Sequence, residues 1–421
     1  MKKTLLLGLA CTLLHAGVSR AQETEMLPTA APPPIPALIE DGAAPAPAVE
    51  IFSDAGRPAS PRIWGDAAFL LWWTKRAPVN TPLLTQALNI IADPTSGQIG
   101  SANTAVLLGN DTYDMGTRYG GRFTLGGWFG CDQCFGVEGN YLFISPRTST
   151  QTAGTPATPG SPFVGVPFFD VTTGEEIFVP TGIPFSDVSN DSFLRIRNEL
   201  QGAEVNFVAN LARRECLTVT GLVGFRYINF REDLDFGVTS QREGDFVTRL
   251  DQFHAKNNFY GGNLGLRVEY QMGRFFVEAT GKVALGSMNQ TIDINGATTG
   301  FTPGAKDFIN VVNAPGSVFA QATNSGVHSR NVFGVVPEAE FKLGYNITRN
   351  IQGYAGYNLL YLNNVARPGA MIDHNTNPSQ FGGGFTPGAP RPLVGAPAPN
   401  FSFQRSDFWA QGVTFGVQVK F

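Results

Sequence analysis

The stretch FWAQGVTFGVQVKF at the end of the sequence sets Val413, Phe415, Val417, Val419 and Phe421 at every second position, with Thr414, Gly416, Gln418 and Lys420 between them. Successive side chains of a strand point to opposite sides of the pleat, so this period of two prescribes a β-strand with one apolar and one polar face. Two media suit such a strand. In a soluble sheet the apolar face meets a core; in a transmembrane barrel it meets lipid while the polar face lines the lumen.

The same pattern recurs along the chain. AAFLLWWT puts Phe69, Leu71 and Trp73 on one face and Asp66 on the other. YGGRFTLGGWF sets Tyr119, Phe123, Leu125 and Phe129 against Arg122 and Thr124, and FGVEGNYLFI sets Phe135, Val137, Tyr141 and Phe143 against Glu138 and Asn140. Further on, Ala203, Val205 and Phe207 oppose Glu204 and Asn206, and Leu217, Val219, Val223, Phe225 and Tyr227 oppose Thr218, Thr220 and Arg226. Tyr260, Leu264, Leu266, Val268 and Tyr270 then oppose Asn263, Arg267 and Glu269, and Phe275, Val277, Ala279, Val283 and Leu285 oppose Glu278, Thr280 and Lys282. Ala339, Phe341, Leu343 and Tyr345 face away from Glu338, Glu340 and Lys342, while IQGYAGYNLLYL carries Tyr and Leu on both faces.

The links between these strands alternate in length. CDQC, ARRE, QMGR and TRN are turns, whereas the stretches from about Lys75 to Arg118, Ser145 to Asn190, Arg231 to Asn258, Asn295 to Arg330 and Asn363 to Gln404 read as loops. Short turns on one side and long loops on the other are the asymmetry of outer-membrane barrels. The expected fold is therefore all-β: a single closed antiparallel transmembrane β-barrel of about ten strands, with short periplasmic turns and long outer loops, or twelve if a long loop hides a hairpin. In hydrocarbon every backbone group must be paired within the protein, so the sheet has to close, and the last strand has to pair with the first. Val413, Phe415, Val417, Val419 and Phe421 are the expected closure strand.

The expected lumen-facing residues are Arg122, Glu138, Glu204, Arg226, Arg267, Glu269, Glu278, Lys282, Glu338, Glu340 and Lys342. An Arg or Lys on a lipid face costs roughly 2–4 kcal/mol at the midplane, which explains the confinement of these charges to one parity. Side chains fill barrels of about eight strands, and open channels come at about sixteen, so ten strands predict a narrow or plugged, salt-bridged lumen.

Met1, Lys2 and Lys3, the apolar run from Thr4 to Val18 and Ser19-Arg20-Ala21 form a predicted signal peptide over residues 1–21. A lipoprotein reading through Cys11 competes with it. Residues 22–61 are a Pro- and Ala-rich arm expected to stay unfolded, and residues 62–421 the barrel. With 49 Gly, 33 Phe and 15% charged residues, the composition suits strands and turns rather than a helical enzyme. A net charge of −4 gives no basic field for nucleic acid. Beyond residue 21 no apolar run approaches the 18 or so residues of a membrane helix.

The blocks AAFLLWWTKRAPVNTPLLT, FYGGNLGLRVEYQMGRFFVEATGKVALG, VVPEAEFKLGYNIT and GYNLLYLNNVARPGAMID resemble the planctomycete family of outer-membrane β-barrel porins, over roughly Arg62 to Phe421. The terminal aromatic strand also resembles the signal read by the barrel assembly machinery. The resemblance implies export to the bacterial outer membrane, with lipid and that machinery as partners; it supplies neither a substrate nor catalytic residues.

No catalytic, cofactor or metal site emerges. Cys131 and Cys134 have CxxC spacing, which suits redox chemistry or half a zinc site, but no second ligand pair accompanies them, and a structural turn, with or without a local disulfide, is favoured. Cys216 near the next turn is placed to exchange with either. His254, His328 and His374 are expected in three outer loops; His374 beside Asp373 is the one suggestive pair, and no serine elbow completes it. The glycines of YGGNLG precede no helix and so do not form a phosphate loop. Glu338, Glu340 and Lys342 read either as an ion path or as neutralising lumen packing. Three function classes remain: a narrow porin-like channel for small solutes, a structural or surface-interaction barrel without transport, and a barrel enzyme, which the sequence does not support.

Overall fold

The computed structural model describes residues 62–129, 133–243, 245–301, 312–381 and 394–421. The expected signal peptide, the proline-rich arm and Cys131 lie outside the described residues. In chain order the first eight strands are β1 (Ile63–Thr74), β2 (Ala77–Ala87), β3 (Thr104–Tyr113), β4 (Arg118–Phe129), β5 (Phe135–Thr155), β6 (Phe163–Asp170), β7 (Glu175–Gly182) and β8 (Ser189–Arg213). The remainder are β9 (Leu217–Arg242), β10 (Asp245–Met272), β11 (Phe275–Phe301), β12 (Val312–Pro315), β13 (Gly326–Asn346), β14 (Ile351–Val365), β15 (Asn375–Thr376) and β16 (Ser406–Lys420). Among the described residues the only helices are three 3-10 turns.

Ten strands form one closed antiparallel ring in the order β1, β4, β5, β8, β9, β10, β11, β13, β14, β16. The ring shuts where β16 lies against β1, with Leu71 opposite Val413, Phe69 opposite Phe415, Ala67 opposite Val417 and Gly65 opposite Val419. The last residue takes part: the Phe421 N–H donates to the Ile63 carbonyl at 2.8 Å, and the Ile63 N–H returns to the Phe421 carbonyl at 3.1 Å. A closed ring leaves none of its strands with the unpaired edge on which another chain could add.

Four links at one end of the ring are short, those between Phe129 and Phe135, Arg213 and Leu217, Met272 and Phe275, and Asn346 and Ile351. The other end differs from the sequence expectation. The residues between Arg231 and Asn258 are not a loop: β9 and β10 continue upward as a hairpin, paired as far as Arg242 and Asp245. Much of 145–190 and 295–330 is likewise strand, and the segments 75–118 and 363–404 carry β2, β3, β15 and two of the 3-10 turns. His254 and His328 consequently lie within β10 and β13 rather than in loops, and His374 just before β15.

These extensions escape a search for apolar-out strands because their polarity inverts. In β9 the outward face runs Val223, Phe225, Tyr227 and then Asn229, Arg231, Asp233, Asp235, while the inward face runs Thr220, Arg226 and then Phe230, Leu234, Phe236. The period of two never breaks; only the medium on each side changes. The changeover is level across five adjacent strands, at Gln201, Asn229, Asn258, Asn289 and Asn331, which are successive cross-strand neighbours. Their amides bond along the row, with Asn229 Nδ2 donating to Asn258 Oδ1 at 2.9 Å and Asn289 Nδ2 to Asn331 Oδ1 at 2.9 Å.

Above that row the ring has a dry interior filled by a second sheet. Its order is β15, β6, β2, β3, with β7 on β6. Val79, Leu83 and Leu84 of β2 and Val166 and Phe168 of β6 pack against Ile196, Leu234, Phe236, Phe253, Ile292 and Ile294 of the ring, all nearly inaccessible. The sheet is pinned by the segment after β14. Arg367, fully buried, donates from Nε to Glu232 Oε1 at 3.0 Å and from Nη2 to Glu232 Oε2 at 2.5 Å, and its guanidinium lies beside the stacked rings of Phe230 and Phe408. Nearby, the Ala366 N–H donates to Asn257 Oδ1 at 2.7 Å, and Asn257 Nδ2 donates to the Ala366 carbonyl at 2.9 Å.

Asp251 of β10 holds the loop before β13 in the same region. It accepts from the Phe319 N–H at 2.9 Å, the Ala320 N–H at 2.7 Å and the Ser317 hydroxyl at 2.8 Å. Burial nevertheless outweighs these bonds and pushes its carboxyl up to about 6 from an ordinary 3.8. The folded state therefore binds this proton more tightly than the unfolded chain does. The associated stability is fully present below pH 3.8 and is lost as pH rises through 6, by roughly 3 kcal/mol in all. Asp251→Asn, which keeps the acceptor oxygen and never ionises, is expected to flatten this component between pH 4 and 7 in denaturant titrations of the detergent-solubilised chain. An unchanged slope would show that another group titrates.

Candidate functional site

Below the amide row the ring encloses a layer of charge. Its members follow from the pleat: residues two apart on one strand share the inward face, and antiparallel register sets opposite charges across from each other. Glu278 lies opposite Lys342, Lys282 opposite Glu338, and Glu204 opposite Arg226. Arg122 reaches Glu338 at 2.7 Å and Glu340 at 3.2 Å, while Arg226 bonds Glu338 and lies 3.6 Å from Glu204. Lys282 sits 2.6 Å from Glu204 and 3.3 Å from Glu338, and Lys342 lies 3.1 Å from Glu278 and 3.6 Å from Glu340. Arg267 grips both oxygens of Glu138, at 2.8 and 3.0 Å.

Five cations thus meet five carboxylates, with Asp66 a sixth beside them, and one cavity among them measures about 30 Å³. Ten of the eleven residues expected in the lumen lie in this layer. Glu269 does not; it lines a cavity of about 170 Å³ at the tight-turn end, with Trp64, Trp128 and Lys420. Three residues outside the expected set join the charges: Trp64 Nε1 donates to Glu138 at 3.3 Å, and the Tyr354 hydroxyl donates to Asp66 at 2.9 Å. All three were findable, since each shares the inward parity of its strand.

A second layer had only a faint sequence signal. Between the charges and the upper sheet, Leu70, Trp72, Leu142, Ile144, Leu200, Ile228, Phe230, Phe259, Met288, Val336, Leu360, Leu362 and Phe408 meet in one buried apolar cluster. They lie on the same parity as the charges, farther along each strand. The Tyr and Leu residues on both faces of IQGYAGYNLLYL are its trace: Tyr357 and Leu359 point outward, Leu360 and Leu362 inward.

The family described as Putative beta barrel porin-7 matches residues 64–421. This chain belongs to that family. Membership covers the whole described ring and none of the arm before it. No curated protein matches. Among solved structures, the outer membrane protease OmpT of Escherichia coli is similar at 9% identity, covering 86% of this chain and 97% of that one, with a TM-score of 0.36. A TodX deletion mutant, a monoaromatic hydrocarbon channel, matches at 8% identity over 86% and 91% with a TM-score of 0.21. A FadL homologue of Pseudomonas aeruginosa matches at 7% over 86% and 90%, also at 0.21.

The remaining candidates are dispersed. His254 points outward above the amide row, and its bond to Asp235, 3.1 Å from Nε2, raises its pKa. His328 meets the Asn324 carbonyl at 2.9 Å and stacks on Phe401. His374 is oriented not by its neighbour Asp373 but by Glu176, whose two oxygens lie 2.9 and 3.1 Å from Nε2. Asp373 instead accepts from the backbone N–H groups of Asn375 and Asn400. Cys134 and Cys216 are exposed at the tight-turn end. Among the described residues no cluster of three His, Cys, Asp or Glu side chains is arranged to hold a metal.

Proposed function

We propose that this chain is an outer-membrane β-barrel with a sealed lumen, a structural or surface-interaction barrel of the envelope rather than an open pore. The observation that carries the reading is the charged layer, in which every cation meets a carboxylate and the cavity among them measures about 30 Å³. That leaves little room for a hydrated ion, and the apolar layer and upper sheet inside the same ring support the reading.

The membrane side of the reading rests on the outward face below the amide row. Phe123, Phe207, Phe225, Leu264, Phe341 and Phe415, one from each of six strands, are each more than half exposed. Such a belt suits hydrocarbon and would aggregate in water. The tight turns then face the periplasm and the capped end faces outward, the predicted signal peptide serves export, and lipid and the barrel assembly machinery are the partners. Nucleic acid binding and catalysis form no part of it.

The porin-like narrow channel is the competing reading, favoured by the family's description. Purified chain reconstituted in planar bilayers is expected to leave the membrane silent under an applied potential. Discrete conductance steps, reproducible and absent from detergent controls, would restore the channel reading and end this one.

A further inference from the structure

The capped end carries a cleft that the sealed-barrel reading does not use. Its volume is about 850 Å³, and it lies between the start of β2, the segment from Ala370 to Asn375 and the chain leading into β16. This is the size range of small-ligand sites, but the lining is unusually polar. Asn80, Thr81, Thr112, Asn375, Asn400 and Ser402 offer amides and hydroxyls, and no Phe, Tyr or Trp is among the described lining residues.

Its charge leans positive. Lys75, Arg76 and Arg405 line it with one carboxylate, Asp373, which accepts from Asn375 and Asn400, and Lys75 is matched by Asp407. Arg76 keeps only a long contact to Asp114, at 3.7 Å, with both side chains mostly exposed. Arg405 has no acidic partner among the described residues. Two guanidinium groups, each able to grip a carboxylate through two parallel N–H bonds, are therefore left facing a hydroxyl-rich hollow. His374 adds a ring fixed through Nε2 by Glu176, with Nδ1 unpartnered among the described residues.

We infer that this cleft binds an acidic saccharide, with Arg76 and Arg405 taking the carboxylates and the amides and hydroxyls taking the ring hydroxyls. A neutral sugar would lack the charge and would find no aromatic face to stack on; a bare anion would leave the amides unused. The inference goes beyond the sealed-barrel reading and stands whether or not the ring conducts.

Isothermal titration calorimetry on the detergent-solubilised full chain tests it, with digalacturonate, maltose and inorganic phosphate as probes. Digalacturonate is expected to bind, more weakly as salt is raised, with maltose and phosphate at least tenfold weaker. Arg76→Gln and Arg405→Gln, both at exposed positions where folding is not at stake, are each expected to raise the digalacturonate Kd roughly tenfold. No heat with digalacturonate, equal affinity for phosphate or maltose, or indifference to both substitutions would each overturn the proposal.

Discussion

Arg367→Ala is expected to destabilise the folded chain by about 3–5 kcal/mol, because it strands the buried Glu232 without a cation partner among the described residues. Arg367 is wholly inaccessible, makes a two-pronged bond to Glu232 and packs beside the stacked rings of Phe230 and Phe408. Its Nη1 also donates to the Arg76 carbonyl at 2.8 Å, tying the start of β2 to the same point. The loss is thus concentrated where the upper sheet joins the ring. Denaturant titration in detergent, followed by tryptophan fluorescence, measures it. Replacing both partners, Arg367→Met with Glu232→Met, is expected to recover most of the loss, since an apolar pair of similar volume carries no desolvation penalty. If the single and double variants were equally unstable, packing rather than the stranded charge would be responsible.

Glu338→Ala is expected to have an effect of the same size on the ring itself, again about 3–5 kcal/mol. This carboxylate is shared by Arg122, Arg226 and Lys282 and is 1% exposed, so its removal leaves three cations converging on a hole. Glu338→Gln keeps the volume and an acceptor oxygen and is expected to fall between alanine and the parent. The same unfolding assay decides: a loss below about 1 kcal/mol for the alanine variant would mean that water or neighbouring carboxylates replace Glu338 and that the layer is looser than its distances imply.

These two sites differ in how far the sequence revealed them. Glu338 was visible as an inward residue from the alternation of VVPEAEFKLGYNI, and so were Arg122, Arg226 and Lys282 on their own strands. Which carboxylate each cation meets was not visible, because partners such as Arg122 and Glu338 lie on strands far apart in the ring. Arg367 and Glu232 left no such trace. Both fall in segments that read as loops, one following β14 and one in the inverted half of β9, and neither has an alternating apolar face directed toward lipid.

The amino-acid sequence by itself determined the lower half of the ring: ten strands, their parity, the tight turns between them and the pairing of last strand with first. Those features depend on the pleat and on short-range turn chemistry, which neighbouring residues dictate. Only the tertiary structure decided that the strands continue past the amide row with their faces reversed, that a second sheet fills the upper ring, and that the inward face carries a layer of paired charges and then an apolar layer. Alternation says that a strand has two unlike faces. What each face touches depends on which distant parts of the chain come to lie inside the ring.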